Sequence, residues 1–488
     1  MTQAPDHICH VCVKDPFLKA EIKAGKTKAD CLHCGKKRLA IDLRLLARRI
    51  DDTLQEHYVP SREDDGPDWA ELVAEEAQVA EPVAEAMRQF LSNSRGYSAR
   101  KDGEEDIWDS SAVYEESRLD RGPYLRRWKE FKASIKQEAR FFNQHAEGYL
   151  DDIFTGIESQ ASWQGETVIR VWEPGEDRQL VRGRVAQSDE DIVTFLSDPS
   201  KELGPPPQGT ASAGRMNATG VSAFYGAMDV STCRAEVRPP VGSHAIFAKF
   251  TLLRPLRILD MDALARIAVT GSIFDPDYST RLARAAFLRN FGNEIAQPVM
   301  PRDEGFGYLP TQVVADYIGQ RLKLDGLLFR SVQSGRRKTE AGAYPQNIVL
   351  FNQSARVEAI DLSLVKTDVD LGWIDEEEDD ADDSISVSTE ELLKKRKSKT
   401  KELRYPEMFF GEEPQSEEED DRVVTLRFVS GSVTVERIRG IEYDPDERYT
   451  TFRHRSRKEL LARKRRLAKL MGQRPKSPDF DLDLDAPF

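Results

Sequence analysis

Apolar residues change their spacing several times along the chain, and each spacing predicts a different kind of element. Leu39, Leu43, Leu46 and Ile50 recur every three or four residues, which predicts an amphipathic helix over Leu39–Ile50. The same spacing runs through Trp69–Leu91 and Leu125–Phe154, with an acidic, Gly- and Ser-containing stretch around residues 92–110 between them. From Thr167 the pattern changes: Thr167-Val-Ile-Arg-Val-Trp172 alternates as a strand does, Val221–Tyr225 is strand-like, the apolar runs Ala245–Leu253 and Ile348–Phe351 supply further strands, and Ser231–Arg238 opens as a helix. Short strands with interspersed helices predict an α+β fold with a mixed or split sheet.

Beyond residue 366 the pattern is lost. The acidic runs Asp375–Asp383 and Glu417–Asp421 bracket the basic Lys394–Lys397, the composition of a disordered or loosely ordered segment. Val423–Val429 and Val433–Ile438 then alternate on either side of Ser430-Gly-Ser432 and predict a hairpin, followed by a short basic helix over Arg457–Lys469. The expected division is 1–38, 39–160, 165–365, 366–421 as an acidic linker, and 422–488 as a small hairpin with a basic tail.

Composition narrows the class. A chain of 488 residues exceeds one ordinary core and predicts about two or three domains. Hydrophobic residues at 39% permit such cores, while 32% charged residues require long solvated stretches. A formal charge of −14 argues against a nucleic-acid binder over the whole chain, because the phosphate backbone needs a positive face. Only the basic tail offers one, and its charge would equally neutralise the chain's own acidic linkers. No run of about 18 apolar residues occurs and the N-terminus lacks a charged-then-apolar leader, so no membrane span is expected and a soluble cytoplasmic protein is.

Four of the five cysteines form two pairs, Cys9-His-Val-Cys12 and Cys31-Leu-His-Cys34. This is the spacing of a structural zinc knuckle, with Gly35 permitting the tight turn after the second pair. A redox dithiol is the alternative, but it needs only one pair beside a strand and helix. His10 and His33 offer replacement ligands. Cys233 has no identifiable base nearby and is assigned no role.

The region from about 165 to 362 carries a constellation of its own. Gly214-Arg-Met-Asn-Ala-Thr-Gly-Val-Ser-Ala-Phe-Tyr-Gly226 is followed by Ala235-Glu-Val-Arg238, then Asp325-Gly-Leu-Leu-Phe-Arg-Ser331 and Asn347-Ile-Val-Leu-Phe351. In order and surroundings it resembles the RES domain, a toxin family named for an arginine, a glutamate and a serine. The resemblance implies an ADP-ribosyltransferase-like fold that cleaves NAD, with Arg170, Arg215, Tyr225, Glu236 and Ser331 at the family's binding and catalytic positions. It also implies inorganic phosphate as a nucleophile in some members, and an antitoxin as a partner. Residue chemistry agrees. Guanidinium groups suit phosphate oxygens, Tyr225 offers a ring face for the pyridinium, and Glu236 can stabilise oxocarbenium character on the ribose. Ser331 can hydrogen-bond the ribose or the nucleophile.

Taken singly, each of these residues also has a structural explanation: Arg215 as a loop charge, Tyr225 as strand core, Glu236 as an ion-pair partner. Met216 stands where many relatives carry tryptophan, and the insertion between Leu253 and Gly326 exceeds that of a compact toxin. A mono-ADP-ribosyltransferase using the same residues is a second reading. A third rests on Arg140-Phe-Phe-Asn-Gln-His145, the Arg-x4-His spacing of HEPN ribonucleases, although a five-residue offset turns the two side chains apart on a regular helix. The blander view gives Arg140 and His145 to the surface and Phe141 and Phe142 to the core, leaving a HEPN-like scaffold.

Overall fold

Asp42 sets the boundary between the first sheet and the first long helix. Its carboxylate accepts from Arg44 N at 2.8 Å and so caps the helix Leu43–His57. The computed structural model describes residues 6–61, 65–96, 107–117, 122–139, 142–175, 178–296, 304–334, 344–360, 365–372, 385–391 and 420–440. Within it His7–Cys9 (β1), Lys28–Asp30 (β2) and Lys37–Asp42 (β3) form an antiparallel sheet with β3 in the middle. Leu39 thus belongs to a strand, and the helix expected from it begins at Leu43. Leu43, Leu46 and Ile50 keep the predicted inward face.

Both longer helical segments are interrupted. The first divides into Trp69–Glu76 and Glu81–Leu91, with Pro82 in the opening turn of the second helix, where its missing N–H costs nothing. The second divides into Gly122–Gln137 and Gln144–Phe154, and Asn143 caps the latter by accepting from Ala146 N at 3.0 Å. Arg140 and Phe141 lie outside the described residues. Phe142, expected in the core, is fully exposed at a left-handed φ of 56° between the helices.

Tyr58–Pro60 (β4) pairs with Tyr114–Glu116 (β5). Near this ribbon the fully buried Asp51 accepts from the indoles of Trp69 at 3.1 Å and Trp108 at 2.7 Å, and pairs with Arg95 at 2.5 Å. A carboxylate so enclosed is tolerable because its oxygens are hydrogen-bonded and its charge is matched. The helices after this point pack elsewhere. Trp128, Phe131, Tyr149, Ile153 and Phe154 enter one apolar cluster with Phe287, Phe291, Val314, Leu327 and Val349, and the Trp128 indole donates to Glu294 at 2.8 Å.

The main sheet contains Ile169–Trp172 (β6), Leu180–Ala186 (β7), Phe224–Ala227 (β8), His244–Leu252 (β9), Leu256–Asp260 (β10), Gly326–Arg330 (β11) and Gln346–Leu350 (β12). A separate two-stranded ribbon joins Val365–Asp370 (β13) and Ser386–Glu391 (β14), so the stretch 366–421 expected to be loosely ordered carries paired strands. Val369, Leu371 and Ile385 anchor this ribbon by packing on the core. Leu426–Phe428 (β15) and Thr434–Arg437 (β16) complete the sheet, whose order is β15-β9-β7-β8-β12-β11-β10-β6 with β16 also on β9. Among the described strands of this sheet β10 and β11 run parallel, and the other pairs are antiparallel. The fold is α+β, as expected.

The hairpin expected over 422–443 does not form. Both strands run along β9, Leu426 opposite Leu252 and Arg437 opposite His244, as one edge strand interrupted by a bulge. Gly431 at φ 72° makes the bulge, and Ser432 Oγ accepts from Lys249 N at 3.0 Å across it. The nine-residue β9 offers enough open edge for both strands. Lys394–Lys397, the acidic run 375–383 and the basic segment 457–469 lie outside the described residues. The described residues up to Arg439 group as one compact unit. Among the described residues no helix is long and apolar enough to cross a membrane.

Candidate active site and metal centre

The helix Val230–Val237 begins where Asp229 accepts from Thr232 N at 2.8 Å, and ends at Arg238 in the left-handed region. It is tied to the sheet edge by Arg234, which donates to both oxygens of Glu436 at 2.6 Å. Glu236, in its last turn, is exposed, yet one of its oxygens is fixed. Oε1 accepts from Ser331 Oγ at 2.6 Å and from Asn347 Nδ2 at 2.7 Å. Oε2 has no hydrogen bond among the described residues. Ser331, buried just past the end of β11, accepts in turn from Ser334 N at 3.1 Å.

Tyr225 reaches the same face from β8. It stands opposite Val349 while Ala227 stands opposite Asn347, so strand alternation puts Tyr225 and Asn347 on one side of the sheet. Its hydroxyl donates to Asn217 Oδ1 at 2.7 Å and accepts from Met216 N at 3.0 Å, and burial pushes the phenol up to about 12. The turn Gly214–Asn217 is thereby latched to the strand. A Cβ on Gly214 would stand 2.6 Å from that hydroxyl and 2.5 Å from Asn217 Oδ1, so the close approach requires glycine. On its other side the turn is held by the helix Leu309–Gln320. Gln312 Nε2 donates to Gly214 O at 2.8 Å and Asn217 O at 2.9 Å, and Thr311 Oγ1 donates to Arg215 O at 2.6 Å. The Arg215 guanidinium lies 5.7 Å from the Tyr308 ring centroid and donates to Ile295 O at 3.4 Å.

Residues 184–373 match the family model described as the RES domain. This stretch is a RES domain. Comparisons with curated proteins and with solved structures gave no match. Proteins of the RES family are associated with enzymatic activity on NAD.

Arg215, Tyr225, Glu236 and Ser331 fall within the RES domain as matched, whereas Arg170 lies before it. Arg170 is also not on the Tyr225 face. It pairs with Ile258, whose side chain enters the opposite core, and its guanidinium is engaged at 2.5 Å by the buried Asp260. The structure thus does not bring Arg170, expected to bind substrate, together with Tyr225, Glu236 and Ser331: an arginine on the far side of an edge strand has met a buried carboxylate that sequence spacing did not reveal. His145 is exposed at the start of its helix, and its expected companion Arg140 lies outside the described residues.

Sequence reasoning overlooked Asn347, Asn217, Gln312 and Tyr308 as members of the site. For Asn347 a signal existed: a polar side chain directly before the apolar run Ile348–Leu350, at a position whose alternation partner Val349 is core. Asp325 is explained structurally, since it holds Arg254 at 2.7 Å, Ser354 at 2.6 Å and Arg257 N at 2.7 Å. Met216 is buried within the apolar cluster.

In the N-terminal sheet the sulfurs of Cys9, Cys12, Cys31 and Cys34 all lie within 4.8 Å of one another. Cys9 to Cys12 is 3.6 Å, Cys9 to Cys34 3.7 Å and Cys31 to Cys12 3.8 Å. A tetrahedral ion with sulfur at about 2.3 Å requires sulfurs about 3.8 Å apart, whereas a disulfide would need about 2 Å. The four thiols can therefore hold a metal. Burial opposes ionisation of Cys31, but backbone N–H groups of Cys34 and Cys9 outweigh it and bring the thiol down to about 7. His10 bonds Leu39 O through Nδ1 at 3.1 Å, and His33 is exposed, so the set is four sulfurs.

Proposed function

We propose that this chain cleaves NAD at the bond between nicotinamide and ribose, by phosphorolysis or hydrolysis. The observation that carries the reading is Glu236, held through Oε1 by Ser331 and Asn347 and left with an unclaimed Oε2. As the C1′–N bond breaks, its electron pair neutralises the pyridinium nitrogen and positive charge builds on the ribose. A carboxylate oxygen aimed at that charge or at a ribose hydroxyl lowers the barrier, by an amount that single-group substitutions put at about 10²–10³ in rate. The bond to C1′ is then made by an oxygen of phosphate or water.

Arg215 is assigned to the pyrophosphate or the attacking phosphate, and Ser331 to orienting Glu236. Tyr225 has committed its hydroxyl to Asn217 and Met216, so the ring face is what remains for nicotinamide. The N-terminal cysteines would hold structural zinc, and NAD depletion by a toxin or stress effector is the biological role this chemistry fits. Purified protein incubated with NAD, with and without inorganic phosphate, tests the reading when nicotinamide release and product mass are followed. A phosphate-dependent product heavier than ADP-ribose means phosphorolysis and free ADP-ribose means hydrolysis. Label passed to a protein or nucleic acid means ADP-ribosyl transfer. Release that survives Glu236→Gln, or that His145→Ala alone abolishes, overturns it.

A further inference from the structure

We infer that Asn347 is a positioning residue for this reaction, selecting which oxygen of Glu236 faces the substrate; the inference rests on the NAD-cleaving reading above. Glu236 is an exposed residue near the end of its helix, two residues before the chain turns left-handed at Arg238. One hydrogen bond from Ser331 would leave the carboxylate free to swing about it. A second donor, delivered to the same oxygen from a different strand, fixes the plane of the carboxylate and turns Oε2 outward. The two donors come from neighbouring paired strands, Ser331 just past the end of β11 and Asn347 near the start of β12, which is held between β8 and β11.

The orientation of the amide follows from chemistry. With the NH₂ toward Glu236 a donor meets a carboxylate, whereas the flipped amide would set oxygen against oxygen. The consequence of this choice is that Asn347 Oδ1 is buried with no hydrogen-bond partner among the described residues. Buried amide oxygens are rarely left so, because an unpaired acceptor is destabilising. A residue serving only to fill the sheet would avoid the cost, as Val349 does two positions along the same face. Asparagine at 347 trades stability for a donor aimed at Glu236, a pattern expected where function sets the residue. Asn347 acts through Glu236 and is not itself assigned a contact with substrate.

The test uses the full chain and two variants of nearly the same shape. Asn347→Leu removes both the donor and the orphaned oxygen, and Asn347→Asp removes the donor and sets a second carboxylate against Glu236. For Asn347→Leu the melting temperature should equal or exceed that of the wild type, the KM for NAD should change less than about twofold, and kcat should fall at least about tenfold. Asn347→Asp should lose more kcat than the leucine variant, again without a matching change in KM. Wild-type kcat in either folded variant overturns the inference, and so does a loss that tracks melting temperature alone. If the wild type releases no nicotinamide the parent reading has failed and this inference with it. An active wild type with an equally active Asn347→Leu defeats the inference alone.

Discussion

Ser331 Oγ donates to Glu236 Oε1 at 2.6 Å, joining a strand end to a helix end 95 residues earlier in the chain. Asn347 supplies a second donor to the same oxygen, so the serine is a partial rather than a sole support. Ser331→Ala should therefore lower kcat for nicotinamide release by roughly tenfold, less than Glu236→Gln does, because one donor persists. Steady-state rates at varied NAD decide it: a serine variant as impaired as Glu236→Gln would make Ser331 a participant in bond cleavage and not an orienting group.

The Tyr225 hydroxyl is a structural latch. Tyr225→Phe keeps the ring but strands Met216 N and Asn217 Oδ1, both on buried residues, at a cost of about 1–3 kcal/mol. The variant should melt lower at neutral pH and show a raised KM, because Arg215 rides on the loosened turn, while kcat holds.

The same phenol gives an alkaline signature. Its folded value of about 12 stands above the ordinary 10, so its contribution to stability is complete below about pH 10 and is lost as pH rises through 12. The melting-temperature gap between wild type and Tyr225→Phe should accordingly narrow between pH 8 and pH 11.5. A constant gap would place the phenol's ionisation outside that window.

For the cysteine cluster, elemental analysis of purified protein should find close to one zinc per chain, and Cys31→Ser should lose it. The sheet β1–β3 shares its apolar cluster with Trp69 and Trp108, so chelation should also shift tryptophan fluorescence and open the N-terminal region to protease. Metal-free protein with the same fluorescence would return the cysteines to the redox alternative.

Helices from before the matched domain complete the core beneath the proposed site. A fragment beginning at residue 165 lacks Trp128, Phe131, Tyr149 and Phe154 and should be insoluble, while one beginning at 122 should fold. Trp128→Ala should cost about 3–5 kcal/mol, read by denaturant unfolding. A soluble, active fragment from 165 would show that these helices are dispensable.

Local signals carried most of what the sequence revealed. Alternation located β6 and apolar runs located β9 and β12, the strand expected over Val221–Tyr225 meets β8 only at Phe224 and Tyr225, and the Cys-x2-Cys spacing anticipated sulfurs at metal-binding separation. The breaks in the two long helices were also written locally, in Pro82 and in Asn143 before Gln144, but a continuous apolar stripe hid them. What sequence could not convey was pairing at a distance. Val423–Ile438 alternates as well in a hairpin as on an edge, and the choice is made by the open side of β9, far away in the chain. Arg170 likewise has phosphate-binding chemistry on paper, and only the register with β10 brings it to Asp260. Asn347 stands in the RES-like constellation without a role of its own, because its value depends on a helix that ends 110 residues earlier.

The interrupted edge strand gives the protein an order of assembly. A ribosome releases the amino end first, so the helix bearing Glu236 is made long before Glu436, the residue that clasps its Arg234. Until residues 426–437 emerge, β9 has one bare side and the helix bearing Glu236 lacks that clasp. Completion of the main sheet is therefore timed by a distant stretch of the chain's own translation, and a nascent chain halted in the acidic region carries every proposed catalytic residue on an unfinished sheet.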